Sequence, residues 1–158
     1  MKIELKNIKY TAFQSQETHC FEASVYIDGK KAGTVSNDGR GGSNNYFPNT
    51  LYATLDDHAK TLPKFDLAAA AGVKDHEPHM VSPDPDTLIG ELVNEHLRIK
   101  EDKRLVARQI VYRIPGHTYA QGEYHVIKAK YSAEYKRKLV LKHGPDIFIH
   151  NDKYTKVD

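Results

Sequence analysis

Phe21-Glu22-Ala23-Ser24-Val25-Tyr26-Ile27-Asp28-Gly29-Lys30-Lys31 is the stretch on which the fold turns. Phe21, Ala23, Val25 and Ile27 alternate with Glu22, Ser24 and Tyr26, a period of two with one apolar face. Side chains alternate across a strand, so this pattern describes a half-buried strand. Asp28-Gly29 follows at once. Both residues tolerate positive φ, which tight hairpin turns require, so Lys31–Ser36 reads as the returning strand. Upstream, Lys2–Tyr10 carries Ile3 and Leu5 on one face and reads as a further strand. The opening third is therefore expected to be an antiparallel meander.

Working outward, Asn37-Asp38-Gly39-Arg40-Gly41-Gly42-Ser43-Asn44-Asn45 is a loop by composition. Pro48 suits the first turn of a helix, and Leu51, Leu55, Ala59 and Leu62 make its apolar stripe until Pro63 ends it. Residues 64–86 lack periodicity and carry an Ala run, Gly72 and three prolines. They read as a long surface excursion with one short helical turn, and such loops are usually functional or mobile. Asp84 is then an N-cap with Pro85 at the first helical position, opening a helix to Ala107. Its buried stripe is Leu88, Ile89, Leu92, Val93, Leu97 and Ile99. Ile110–Ile114 and Glu123–Lys130 pair as a hairpin across Pro115-Gly116, Ser132 caps a helix through Leu141, and Ile147–Ile149 is the last strand. Strands and helices do not alternate regularly. The expected fold is α+β, an antiparallel sheet (N-terminal meander plus C-terminal hairpin) packed with two or three helices in a single domain over 1–158.

The 158 residues are 39% hydrophobic and 28% charged, which suffices for one core. No apolar run approaches the ~20 residues of a membrane helix. Met1-Lys2-Ile3-Glu4-Leu5 alternates polar and apolar, unlike a signal peptide. The single cysteine, Cys20, excludes an intrachain disulfide and a multi-thiolate zinc site. A cytoplasmic protein is expected.

Charge is segregated. Residues 1–97 hold 9 Lys+Arg against 14 Asp+Glu, net −5; residues 98–142 hold 12 against 4, net +8; residues 143–158 hold 2 against 3, net −1. A block at +8 attracts an anion, a nucleic acid or an acidic protein. The long helix accounts for part of this, because acidic first turns and basic last turns complement the helix macrodipole. Arg113, Lys128, Lys130, Lys136, Arg137, Lys138 and Lys142, with Tyr131 and Tyr135 interleaved, describe either one positive face or an ordinary solvated surface.

The glycine-rich turn is the most informative feature. Its glycines let amides turn inward, Arg40 adds a donor fork suited to phosphate, and the helix expected from Pro48 would aim its positive end there. Tyr46 and Phe47 are candidates for stacking on a base. The candidate ligand-binding set is Asn37, Gly39, Arg40, Gly41, Gly42, Ser43, Asn45 and Tyr46, with Lys128 and Lys130 adding attraction. Arg40→Ala would weaken binding by ~1–3 kcal/mol if its charged hydrogen bond is buried. The turn has no Gly-Lys-Ser/Thr ending and no βαβ context, so it is neither a P-loop nor a dinucleotide fingerprint. The same composition also describes a slack strand-to-helix connection.

Nine histidines are present. Asp75-His76-Glu77-Pro78-His79 groups two of them with two carboxylates, but Pro78 prevents the helical spacing of a zinc enzyme, and a solvated loop is the simpler reading. His117 and His125 flank one hairpin turn. If they face each other across it, they form an acid–base pair of the kind that cleaves phosphodiesters. His19 and Cys20 are neighbours on a strand and point to opposite sides, so they are not a nucleophile–base pair.

Met1-Lys2-Ile3-Glu4-Leu5-Lys6-Asn7-Ile8, Glu17-Thr18-His19-Cys20-Phe21, Val25-Tyr26-Ile27-Asp28-Gly29-Lys30 and Asn37-Asp38-Gly39-Arg40-Gly41-Gly42 together resemble a group of small accessory proteins carried by phages and prophages. The tail from Ile127-Lys128-Ala129 to Lys142-His143-Gly144-Pro145 is similar to the same group. The resemblance implies a phage accessory gene acting in the host cytoplasm. Counter-defence is a common role for such genes, and sequestering a nucleotide immune signal without cleaving it is one form. Taken with the glycine turn, the expected function is non-enzymatic binding of a small anionic ligand, a nucleotide or cyclic nucleotide, by a homo-oligomer, with no cofactor, metal or membrane. Two alternatives remain. One is a metal-independent phosphodiesterase or nuclease using His117 and His125. The other is a protein- or nucleic-acid-interaction module that inhibits a host factor through residues 64–86 or the basic face.

Overall fold

Period-two alternation and the Asp28-Gly29 turn build what they predict. In the computed structural model, which describes residues 1–120 and 123–157, β1 (Ile3–Tyr10), β2 (Cys20–Ile27) and β3 (Lys30–Asp38) form an antiparallel meander. A short fourth strand, β4 (Asn45–Phe47), returns along β3. Asp28 and Gly29 take φ of 49° and 81°, the left-handed pair a type I′ turn needs. Buried Ala23 and Val25 stand opposite Val35 and Gly33 across the ladder. α1 (Thr50–Ala59) buries Leu51, Leu55 and Ala59. Gly33 permits its approach, because a Cβ there would overlap the Phe47 carbonyl oxygen and stand 3.0 Å from Leu51 Cδ2. The overall class is α+β.

The chain's internal contacts gather into two units, Met1–Glu95 and His96–Asp158. In the first, the excursion is more ordered than its composition suggests. β5 (Phe65–Asp66) pairs antiparallel with β6 (Met80–Val81), and α2 (Leu67–Ala70) follows β5 directly. Asp66 organises it. Its Oδ1 accepts from the amides of Ala68, Ala69 and His79 at 3.1, 3.4 and 3.1 Å, and its Oδ2 meets His76 Nε2 at 2.9 Å. The bond to His76, then the amides, hold its carboxyl down from 3.8 to about 2. A depressed carboxylate stabilises the fold above its unfolded value and stops doing so as pH falls through its folded one. Exchange of the Ala68 and His79 amides should therefore accelerate between pH 3.8 and about 2. Asp66→Asn should abolish that step, and an identical step in the variant would disprove the assignment.

α3 (Pro85–Val106) crosses the division between the units. Asp84 caps it, its Oδ1 accepting from the Thr87 amide at 2.7 Å and hydroxyl at 2.6 Å. In the second unit β7 (Ile110–Arg113) is the central strand, flanked by β8 (His125–Ile127) and β9 (Phe148–Ile149). α4 (Ala133–His143), capped by Ser132, supplies Leu139 to a core with Ile110, Tyr131, Ile147 and Ile149. Two expectations are corrected here. β8 is three residues, not Glu123–Lys130, because the Ala129 amide donates to the Ile127 carbonyl at 2.8 Å and turns the chain out of the ladder. The helix expected from Pro48 begins at Thr50, and a strand that was not expected, β4, lies between it and the glycine turn. Among the described residues no helix is long and apolar enough to cross a membrane.

Candidate functional site

In the glycine turn, four amides of the stretch expected to cradle an anion are engaged within the first unit. Gly39 N–H donates to Asn37 Oδ1 at 2.9 Å, Arg40 N–H to Asp38 Oδ1 at 3.2 Å, Gly41 N–H to Thr18 Oγ1 at 3.3 Å and Asn44 N–H to Asp86 Oδ1 at 3.2 Å. Asn37 is buried at the centre, accepting also from Thr18 Oγ1 at 2.7 Å and donating to the Gly42 carbonyl at 3.2 Å and Asn44 Oδ1 at 3.1 Å. The Gly39 carbonyl accepts from the amides of Gln16, Glu17 and Thr18. The turn is a knot tied to residues 14–18. Ser43 and Asn45 are exposed on its rim.

The expected aid from a helix N-terminus is absent. Phe47 stands opposite Thr34, four residues down β3 from Asp38, about 13 Å at the usual strand rise. Tyr46 donates its hydroxyl to Asp86 Oδ1 at 2.6 Å and sets its ring against Tyr52. Burial, then the bond to Asp86, pushes that phenol far above its ordinary value. Arg40 is exposed and lines a cleft of about 560 Å³ with Phe13, Cys20 and Asp38, which holds one cation and one carboxylate.

The second unit holds a differently composed cleft of about 540 Å³. Residues directly opposite in an antiparallel ladder share a face. Ile110 and Tyr112 pack toward the core, so Val111 and Arg113 occupy the other face, where Arg113 stands opposite Phe148 and Val111 opposite Val126. Tyr124, two residues before Val126, lines the same cleft. Tyr124 is 40% exposed and Phe148 is 56% exposed, so both rings are accessible. Arg98, Arg113 and Lys153 line it as cations, with Asp102 as the carboxylate. That carboxylate is already engaged: its Oδ2 accepts from Tyr154 OH at 3.0 Å and lies 3.2 Å from His150 Nε2 and 3.5 Å from Arg98 Nη1. Arg113 is braced by donating Nε–H to the Glu123 carbonyl at 3.0 Å, with its guanidinium carbon 5.5 Å from the Tyr119 ring centre. The arrangement suits a flat ring bearing negative charge.

Lys128 and Lys130 are exposed in the second unit, past the end of β8. The wider basic face is partly neutralised, since Lys136 pairs with Asp152 at 3.2 Å and Lys138 with Glu134 at 2.5 Å. His117 and His125 come together across their hairpin with ring centres 6.5 Å apart. Tyr119 lies 6.2 Å from His117 and 5.8 Å from His125. Tyr112 stacks on His125 at 5.2 Å.

No protein family, curated protein or solved structure matches this chain. Sequence reasoning placed Arg113 in the basic block but missed Tyr124, Phe148, His150 and Lys153. Their grouping follows from the pairing of Arg113 with Phe148, 35 residues apart in the chain, which no local pattern announces.

Proposed function

We propose that the protein binds a nucleotide, or a ligand of similar build that joins an aromatic ring to phosphate, in the cleft of the second unit. The observation supporting this is the convergence of two accessible rings, Tyr124 and Phe148, with three cations around an engaged carboxylate. Rings give sequence-tolerant stacking, and arginine forks suit phosphate oxygens. Arg113 contacts the phosphate and Phe148 or Tyr124 the base. Asp102 holds His150 and Tyr154 in place. Sequestration of a nucleotide signal, the role implied by the resemblance to phage accessory proteins, is the simplest use of such a site.

Titration calorimetry with adenosine and guanosine 5′-monophosphates tests the reading. Arg113→Ala should weaken binding about ten- to a hundredfold, the usual value of a hydrogen bond to a charged group. Arg40→Ala should leave affinity within twofold. The opposite pattern would move the site to the glycine turn, and no heat with either nucleotide would overturn the proposal. Native mass spectrometry of protein purified from cells then reports the assembly state and any retained ligand.

A further inference from the structure

The cleft adjoins His117, Tyr119 and His125, which ligand binding does not use. Arg113, His117 and Tyr119 line a neighbouring hollow of about 320 Å³, and His125 with Tyr119 and Tyr124 lines the next. Arg113 and Tyr124 also line the main cleft, so the three hollows share walls. His117 and His125 are exposed, and their ring centres stand 6.5 Å apart. In-line displacement at phosphorus puts the attacking and leaving oxygens on opposite sides of one atom. A base and an acid in hydrogen-bond reach of those oxygens sit roughly 6 to 8 Å apart. The two imidazole centres stand at a comparable separation, and Arg113 shares the hollow of His117, where it can serve the non-bridging oxygens.

We propose that His117 and His125 are an acid–base pair that cleaves ribonucleotide phosphodiesters held in the adjoining cleft. One imidazole, neutral, takes the proton of the ribose 2′-hydroxyl. The 2′ oxygen attacks phosphorus, and the P–O5′ bond breaks. The other imidazole, protonated, gives its proton to the departing 5′ oxygen. The products are a 2′,3′-cyclic phosphate and a 5′-hydroxyl, and the step balances without a co-reactant. Tyr112 stacked on His125 and Tyr119 stacked on His117 hold the rings in place. A mononucleotide offers the pair nothing to cut, and DNA lacks the nucleophile.

This inference rests on nucleotide binding in the cleft, and one substrate separates the two claims. The probe is a labelled DNA strand carrying a single internal ribonucleotide, incubated with the full-length protein. Cleavage at that ribonucleotide is expected, with the 2′,3′-cyclic phosphate identified by mass spectrometry. His117→Gln and His125→Gln should each slow it at least a hundredfold while keeping the parent's circular dichroism and its affinity for adenosine 5′-monophosphate. His58→Ala, prepared in parallel, should cleave at the parent rate, and only that contrast with the His117 and His125 variants excludes a contaminating ribonuclease. Nucleotide binding without cleavage overturns the catalytic proposal alone. Cleavage unchanged in both histidine variants also overturns it. Neither binding nor cleavage overturns both readings.

Discussion

Gly39→Ala is expected to destabilise the first unit by about 3–5 kcal/mol, combining a left-handed backbone penalty with forced overpacking. Gly39 has φ +83°, and a Cβ built there overlaps the Gln14 carbonyl oxygen and stands 2.8 Å from Cys20 Cβ. Both neighbours are fixed. Cys20 lies in β2, and the Thr11 amide donates to its carbonyl. The Gly39 carbonyl meanwhile accepts three successive amides, so the turn cannot shift without releasing Gln16, Glu17 and Thr18. Gly42 is the control. Its φ is +88°, yet nothing lies within 4 Å of its added Cβ. Gly42→Ala should cost only about 1–2 kcal/mol, the backbone penalty alone. Urea unfolding monitored by far-UV circular dichroism measures both. Equal losses in the two variants would refute the view that Gly39 is needed for close packing.

The contrast bears on how a glycine-rich turn should be read. Glycines with an arginine and asparagines fit an anion cradle and a self-satisfied knot equally well in sequence. What separates them is where Asn37 aims its amide, and that depends on Thr18, nineteen residues earlier. Asn37 is buried because it stands opposite Phe21 on the meander's packed face. The strand pattern of Phe21–Ile27 therefore already carried Asn37 inward, one residue beyond the point where the returning strand was expected to end.

Local signals were legible and remote ones were not. Asp28-Gly29 and Asp84-Pro85 act through their own backbone preferences, and both the hairpin and the α3 cap form where they stand. β4 escaped notice because Asn45-Tyr46-Phe47 is too short to show a period, and its partner is nine or more residues away. The order in residues 64–86 was hidden for the same reason. Asp66 collects the amides of Ala68, Ala69 and His79, and nothing in the local sequence marks it out from the other aspartates of the excursion. Facing of His117 and His125 was readable as an option from their places on one hairpin. The aromatic cleft was not, since β9 pairs with β7 only after α4 has intervened.

Asn151 shows how the second unit holds that cleft in shape, and Asn151→Ala is expected to cost about 2–5 kcal/mol, the penalty for orphaning several buried polar groups. Asn151 is fully buried. Its Oδ1 accepts from the Val111 amide at 2.8 Å, and its Nδ2 donates to the carbonyls of Val106 at 3.1 Å and Gln109 at 2.9 Å. One side chain thus ties the end of α3 to β7, the strand that carries Arg113. Asn151→Asp should be worse at neutral pH, because a buried carboxylate would face two carbonyl oxygens. Burial raises the pKa of such a group, so the Asp variant should regain stability as pH falls toward the range where the carboxyl is protonated, the reverse of the Asp66 trend. Hydrogen exchange at the Val111 amide reads the loss directly, and calorimetry should show weaker nucleotide binding in both variants although Asn151 touches no ligand. Parent-like protection of Val111 in Asn151→Ala would mean that β7 is positioned without this side chain, and the cleft would then owe its geometry to the apolar core alone.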